Sequence, residues 1–147
     1  DIDGLAGVTH VGTVGIQIFL NPLLANVDGL SGITAVGDLS LWDNLSLVDV
    51  DGLGNLTRIT RWELNIRENQ SLVHLDGLAK LEHVERHLRI RDNPGLTSLA
   101  GLAALSHVGE TIQISNNTAL DSAVVQAVVD RLVGGGFEGE IIVEGNG

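Results

Sequence analysis

The sequence predicts a mainly β repeat solenoid with one parallel strand per turn, about six turns and one C-terminal capping helix. Three observations carry that reading. The pattern (I/L)-x-(I/L)-x-x-N-x-x-L recurs, with its asparagines Asn21, Asn44, Asn69, Asn93 and Asn117 spaced 23, 25, 24 and 24 residues apart. A Gly-Leu pair opens each unit, at Gly4-Leu5, Gly29-Leu30, Gly52-Leu53, Gly77-Leu78 and Gly101-Leu102. Finally, the chain is 44% hydrophobic over 147 residues, yet its only aromatic residues are Phe19, Trp42, Trp62 and Phe137. A core without aromatic bulk is filled by Leu, Ile, Val and Ala, which suits a thin, regular layer.

Within each unit the alternating aliphatic pair marks one short strand, at 16–19, 39–42, 64–67, 88–91 and 112–115. A sixth strand, Ile141-Ile142-Val143, leads to Asn146 at the same offset. One strand per unit with no hairpin partner requires parallel pairing between successive units, ~4.8 Å apart. The ladder asparagines Asn21, Asn44, Asn69, Asn93, Asn117 and Asn146 follow each strand, where a side-chain amide can bond corner backbone groups left unpaired by the winding. Pro22 and Pro94 stiffen two of those corners. Leu24, Leu47, Leu72, Leu96 and Leu120 come three residues later and point inward from turns or short helical pieces. Asp3, Asp28, Asp51 and Asp76, each before Gly-Leu, are expected to serve as N-caps or Asx-turn residues.

The spacing divides residues 1–147 into rungs of about 1–26, 27–49, 50–74, 75–98 and 99–121, with no linker or second domain. Residues 122–147 hold the rest. There "SAVVQAVVDRLV" (122–133) lacks the Gly-Leu stair and reads as an amphipathic helix, started by Asp121 or Ser122 and stopped at Gly134-Gly135-Gly136. It should cover the C-terminal side of the coil before the last strand closes it.

The stretch "LDGLAKLEHVERHLRIRDNPGLTSLAGL" (75–102) resembles the receptor L-domain branch of leucine-rich-repeat solenoids. More closely, it is similar to the L-domain-like repeats of bacterial secreted proteins and lipoproteins. The likeness extends over nearly the whole chain, and the N-x-x-L spacing, in place of N-x-L, favours the L-domain branch. A cysteine pair often seen around the terminal helix is absent. The resemblance implies a right-handed solenoid used for binding or display, secreted or at the cell surface, with no family catalytic residues to transfer.

Charge narrows the partners. A net charge of −11 argues against nucleic acid and anionic membranes. Residues 1–57 carry seven acids and no Lys or Arg, and residues 92–147 carry seven acids against Arg131 alone. Between them lie Arg58, Arg61, Arg67, Lys80, Arg86, Arg89 and Arg91, a basic belt between acidic ends. No apolar run approaches the ~20 residues that span a bilayer, so no membrane insertion is expected. No signal peptide stands in the sequence, and the absence of methionine, even at position 1, suggests a processed or excised piece. Zero cysteines exclude disulfides and thiolate chemistry.

Repeat register turns side chains into columns. One outward column reads Gln17, Ser40, Asn65, Arg89, Gln113, Ile142, and the next Phe19, Trp42, Arg67, Arg91, Ser115, Glu144. Aromatics and arginines on consecutive rungs permit cation–π contact, and Trp and Arg dominate binding hot spots. Phe19, Trp42, Arg67, Arg89 and Arg91 are therefore the candidate ligand-binding stripe, for a protein or polysaccharide, anionic ones included. The competing reading is self-neutralisation, because the following column, Leu20, Asp43, Glu68, Asp92, Asn116, Gly145, sets an acid beside each arginine.

Catalysis finds no support: the chain has no nucleophile elbow, no HExxH and no phosphate loop, and no cofactor is expected. His10, His83 and His107 share a column, but two adjacent imidazoles without a third ligand make a weak metal site. Capping explains the aspartate column more simply than calcium does, so no metal is assigned. Of four sequons, Asn44 and Asn69 are ladder residues expected to be buried, which leaves Asn55 and Asn116 as the only acceptors in a eukaryotic secretory route. The chain begins in phase at Asp1-Ile2-Asp3-Gly4-Leu5 and ends beside Asn146, so end-to-end stacking into a fibre or layer is the alternative to a ligand-binding role.

Overall fold

The computed structural model describes residues 1–147. In chain order its strands are β1 (Ile16–Phe19), β2 (Ala35–Val36), β3 (Leu39–Trp42), β4 (Arg58–Ile59), β5 (Glu63–Arg67), β6 (His83–Val84), β7 (His87–Arg91), β8 (His107–Val108), β9 (Thr111–Ser115) and β10 (Glu140–Glu144). The single α-helix, α1 (Ser122–Gly134), lies between the last two strands. All six expected strands form, β5, β7, β9 and β10 each starting one residue earlier than the alternation suggests and β10 ending one residue later.

Every strand pair is parallel. The main sheet has six strands in the order β1-β3-β5-β7-β9-β10, so neighbours in space are neighbours in the repeat. A second sheet, which the sequence reading did not anticipate, joins β2, β4, β6 and β8 in that order. Its strands are two residues long, too short for any alternation to be visible.

A 3-10 turn, Asp3–Leu5, precedes β1, and one lies between each of β1, β3, β5 and β7 and the next short strand: Asp28–Leu30, Asp51–Leu53, Asp76–Leu78 and Ala100–Leu102. The aspartates do not cap these turns with their side chains, contrary to expectation. They occupy the first helical position itself. The N–H of Asp28 instead donates to Asn26 Oδ1 at 3.3 Å, that of Asp51 to Asp49 Oδ1 at 3.1 Å, and that of Ala100 to Ser98 Oγ at 3.1 Å. The Asx-turn residue therefore stands two positions earlier.

The Gly-Leu pairs have a direct steric cause. At Gly52, Gly77 and Gly101 a Cβ would overlap the backbone carbonyl of Val27, Val50 and Leu75, the N-cap of the preceding 3-10 turn. The turns stack so closely that only glycine fits between them. The following leucines, Leu30, Leu53, Leu78 and Leu102, are buried in one apolar cluster with residues from both sheets, such as Leu39, Leu64 and Ile90 from the first and Val36, Ile59 and Val84 from the second. Each fully buried Leu or Ile contributes roughly 1.5–3 kcal/mol, so this aliphatic ladder is the main favourable term.

Helix α1 starts where expected: the Asp121 side chain accepts from the Ala123 N–H at 2.7 Å, a conventional N-cap. It buries Val125, Val128, Val129 and Leu132. Arg131 then ties it down, its guanidinium donating to the carbonyls of Leu102, at 2.7 Å, and Leu105. Leu102 ends the 3-10 turn of the preceding unit and Leu105 stands three residues further on, so one arginine joins the helix to the repeat through two charge-assisted bonds. No helix is long and apolar enough to cross a membrane.

Candidate functional site

Alternation sends Ile18, Leu41, Ile66, Ile90 and Ile114 inward and the residues either side of them outward. The register aligns Phe19, Trp42, Arg67, Arg91, Ser115 and Glu144 as expected, with Gln17, Ser40, Asn65, Arg89, Gln113 and Ile142 beside them. Four of the five candidate residues, Phe19, Trp42, Arg67 and Arg91, thus stand on consecutive strands of one column. Arg89 stands one step aside.

The rings of Phe19 and Trp42 stack with centroids 4.6 Å apart and planes 3° from parallel. The Arg67 guanidinium continues the stack 4.6 Å from the Trp42 ring centre. Aromatic stacking and cation–π attraction are each worth roughly 0.5–1.5 kcal/mol, enough to hold these side chains in place without building the fold.

Each arginine of the stripe has a carboxylate. Arg67 donates to Glu68 at 2.5 Å, Arg91 to Asp92 at 2.9 Å and Arg89 to Glu63 at 2.5 Å. Sequence neighbours on a strand point to opposite faces, so the first two pairs need an explanation. It lies in the backbone: Leu20, Asp43, Glu68, Asp92 and Asn116 all have φ between 54° and 58°, and Gly145 has φ 67°. This left-handed step after every main-sheet strand turns the chain at the corner and swings the acid back beside its arginine.

A third outward column was missed by the sequence reading: Glu63, His87, Thr111 and Glu140 pair in register, and Asp38 precedes β3 at the matching step. Carrying the alternation two residues back from Ser40, Asn65 and Arg89 would have found it. Asp38 is 8% exposed. The Gln17 and Ser40 side chains and the Glu63 backbone N–H lie near its carboxylate and favour its charged form, but they do not prevail. Burial first, and then the Glu63 carboxylate, push the Asp38 carboxyl above its ordinary 3.8. Glu63 accepts from Arg89 and from the Asn65 amide at 3.2 Å. Asp38, Glu63, His87, Arg89, Gln17, Val14 and Trp62 line a cleft of about 500 Å³ on this face. Beside it, Asn65 Oδ1, Arg67 Nε and His87 Nδ1 are buried without a hydrogen-bond partner.

Trp62 is the other exposed aromatic, 47% accessible. Arg86 lies 4.4 Å from its ring centre and is itself gripped by Glu110, with bonds of 2.6 and 3.1 Å. That hydrogen bond to Arg86 holds the Glu110 carboxyl below its ordinary 4.5.

The ladder asparagines line the interior corner. Asn44, Asn69, Asn93 and Asn117 are fully buried. The Oδ1 of Asn69 accepts from the Asn44 N–H, that of Asn93 from Asn69, that of Asn117 from Asn93 and that of Asn146 from Asn117, each at 3.1 Å. Each side-chain NH2 reaches back to a carbonyl of the preceding strand: Asn69 to Leu41, Asn93 to Ile66, Asn117 to Ile90, each at 3.0 Å. Asn21 bonds Phe19 O instead, at 2.8 Å. Asn55 and Asn116 are exposed, and Lys80 donates to Asn55 Oδ1 at 2.8 Å. His83 and His107 pair as a stack, ring centres 4.3 Å apart, with His83 bonded to Glu85 at 3.0 Å.

Comparison of this chain with protein-family models, with curated protein sequences and with solved structures found no match.

Proposed function

We propose that the chain is a right-handed solenoid of about six rungs, of the receptor L-domain kind, acting as a non-enzymatic extracellular ligand-binding or adhesion module. Its ligand, a protein or polysaccharide, lies across the outward face of the main sheet. The observation that carries this reading is the Phe19–Trp42–Arg67 stack, ordered and partly open to solvent on a face that builds none of the core. Rigid aromatic surface presented with arginine is what hot spots require, because little side-chain entropy remains to be lost on binding. With Arg67, Arg89 and Arg91 each paired to an acid on a chain of net charge −11, the face suits a neutral or mixed-charge partner better than a strongly anionic one.

The test is binding of the purified chain to arrayed polysaccharides and immobilised extracellular proteins. Saturable binding that weakens at least about tenfold in a Trp42→Ala/Arg67→Ala variant, with the unfolding midpoint little changed, supports the reading. Identical binding by wild type and the double variant removes the stripe as the site.

A second reading, end-to-end assembly into a fibre or layer, is favoured by one specific feature. The asparagine ladder is complementary at its two ends: Asn21 offers an Oδ1 with no donor, and Asn146 offers a backbone N–H with no Oδ1. Leu5 and Val8 at one end and Ile141 and Val143 at the other are exposed apolar residues of the inward columns. Acidic residues at both ends oppose the contact, so assembly should strengthen with salt. Light scattering that reports a monomer at high protein concentration and high salt rejects it.

A further inference from the structure

We propose that the cleft between Trp62 and the Asp38–Glu63–His87 column binds a sugar ring of a neutral oligosaccharide. The inference rests on the outward strand face being the binding face, and names the ligand class it takes.

Four observations point to that class. The cleft, about 500 Å³, lies within the ~300–1,000 Å³ typical of small-ligand sites. Its polar groups interleave acceptors and donors at close range. The Asp38 and Glu63 carboxylates face the Arg89 guanidinium, the Gln17 amide and the His87 imidazole. A cationic ligand would meet Arg89, and an anionic one would meet Asp38 and Glu63. A hydroxyl meets no such conflict, because it donates to a carboxylate and accepts from a guanidinium or an amide.

The third observation is preorganisation. Glu63 is clamped by Asn65 and Arg89, and Asp38 is buried beside Gln17, Ser40 and Glu63, so neither carboxylate must be ordered on binding. Fourth, Trp62 brings an apolar surface to the same cleft while Arg86 occupies one face of its ring. The indole that remains open can stack on the C–H face of a pyranose, the part of a sugar that hydrogen bonds leave unserved. His87, which lines the cleft, and Asn65, bonded to Glu63, keep an unpartnered buried Nδ1 and Oδ1, spare hydrogen-bonding capacity on this face.

The chain has two tryptophans, so an amide-correlation NMR spectrum of the 15N-labelled 147-residue chain has two indole signals, assigned with Trp42→Phe and Trp62→Phe variants. The probes are cellotetraose, chitotetraose and mannotetraose, with ethylammonium chloride and sodium glucuronate as charged controls. At least one neutral tetrasaccharide should shift the Trp62 signal saturably. Asp38→Asn and Trp62→Ala should each weaken that response, read from backbone signals of the cleft strands, by about tenfold or more. The remaining backbone spectrum reports that both variants are folded. The inference is overturned if none of the three sugars moves the Trp62 signal, or if a charged control moves it as strongly. Should a sugar move Trp42 alone, the cleft is wrong while the outward face stands as the binding face.

Discussion

On the inward face of the main sheet, Leu39, Leu41, Leu64, Ile66, Leu88, Ile90, Ile112 and Ile114 are all completely buried and chemically interchangeable. On the outward face the same strands carry Ser40, Trp42, Asn65, Arg67, Arg89, Arg91, Gln113 and Ser115, which share no single character. One face repeats because each unit must present the next with the same shape. The other is released from that demand, so its variation is available for recognition. Its side chains nonetheless order one another, through the Phe19–Trp42 stack, the Arg67 cap and three ion pairs. The difference separates what holds the protein together from the face proposed to meet a partner.

Breaking the inward side should cost most. Asn93→Ala removes the acceptor of the Asn69 N–H and the donor to the Ile66 carbonyl, leaving both without that partner inside the protein. At about 1–3 kcal/mol for each orphaned group, the expected loss is about 3 kcal/mol or more, measured by urea unfolding. Gly77→Ala comes next, because the new methyl meets the Val50 carbonyl rather than a movable side chain. A loss of about 1–3 kcal/mol is expected, while Gly4→Ala, where a Cβ meets nothing within 4 Å, should stay within about 0.5 kcal/mol.

Smaller effects sharpen the comparison at its border. Leu20 holds φ 57° and is 58% exposed, so it contributes backbone strain and little packing. Leu20→Gly should be stabilising by about 0.5–1 kcal/mol, seen as a raised midpoint in thermal unfolding. The gentlest change is in pH dependence. Because the Asp38 carboxyl is raised above 3.8 in the folded chain, the folded state binds its proton more tightly than the unfolded state. Wild type therefore loses stability as pH rises through the interval from 3.8 to that raised value, and the loss persists above it. Asp38→Asn lacks this titration, so the variant should gain on wild type as pH rises through that interval. A pH series of urea unfolding in which the two curves run parallel would contradict the burial argument.

Much of the frame was legible in the sequence, and the reasons differ by element. The main strands, the Asn21-to-Asn146 ladder and α1 could be read because each imposes a side-chain requirement that recurs or has a cap: aliphatics at period two, a buried amide, Asp121 before an apolar stripe. The left-handed corner could not, since Leu20, Asp43, Glu68, Asp92 and Asn116 share a backbone angle but no side-chain type. Gly145, Asn116, Asp43 and Asp92 hint at it, but Leu20 and Glu68 do not. The β2-β4-β6-β8 sheet was invisible because two residues carry no alternation. Asp38, Glu63 and His87 were overlooked because polar residues ahead of the first strand aliphatic look like loop until register places them on the sheet. The stripe residues Phe19, Trp42, Arg67, Arg89 and Arg91 were legible as columns, and so were the acids Glu68 and Asp92 beside Arg67 and Arg91, whereas the corner angle that brings them together and the Arg89–Glu63 pair were not.

The separation of frame from face is tested most directly by urea unfolding of an Arg67→Ala/Arg91→Ala double variant beside Asn93→Ala. Both arginine pairs are partly solvent-exposed. The double variant is expected to lose about 1 kcal/mol or less, with an unchanged dependence on urea, while Asn93→Ala loses about 3 kcal/mol or more. If the two lose equally, the outward residues form a structural ladder of their own, and the division between a holding face and an offering face is wrong.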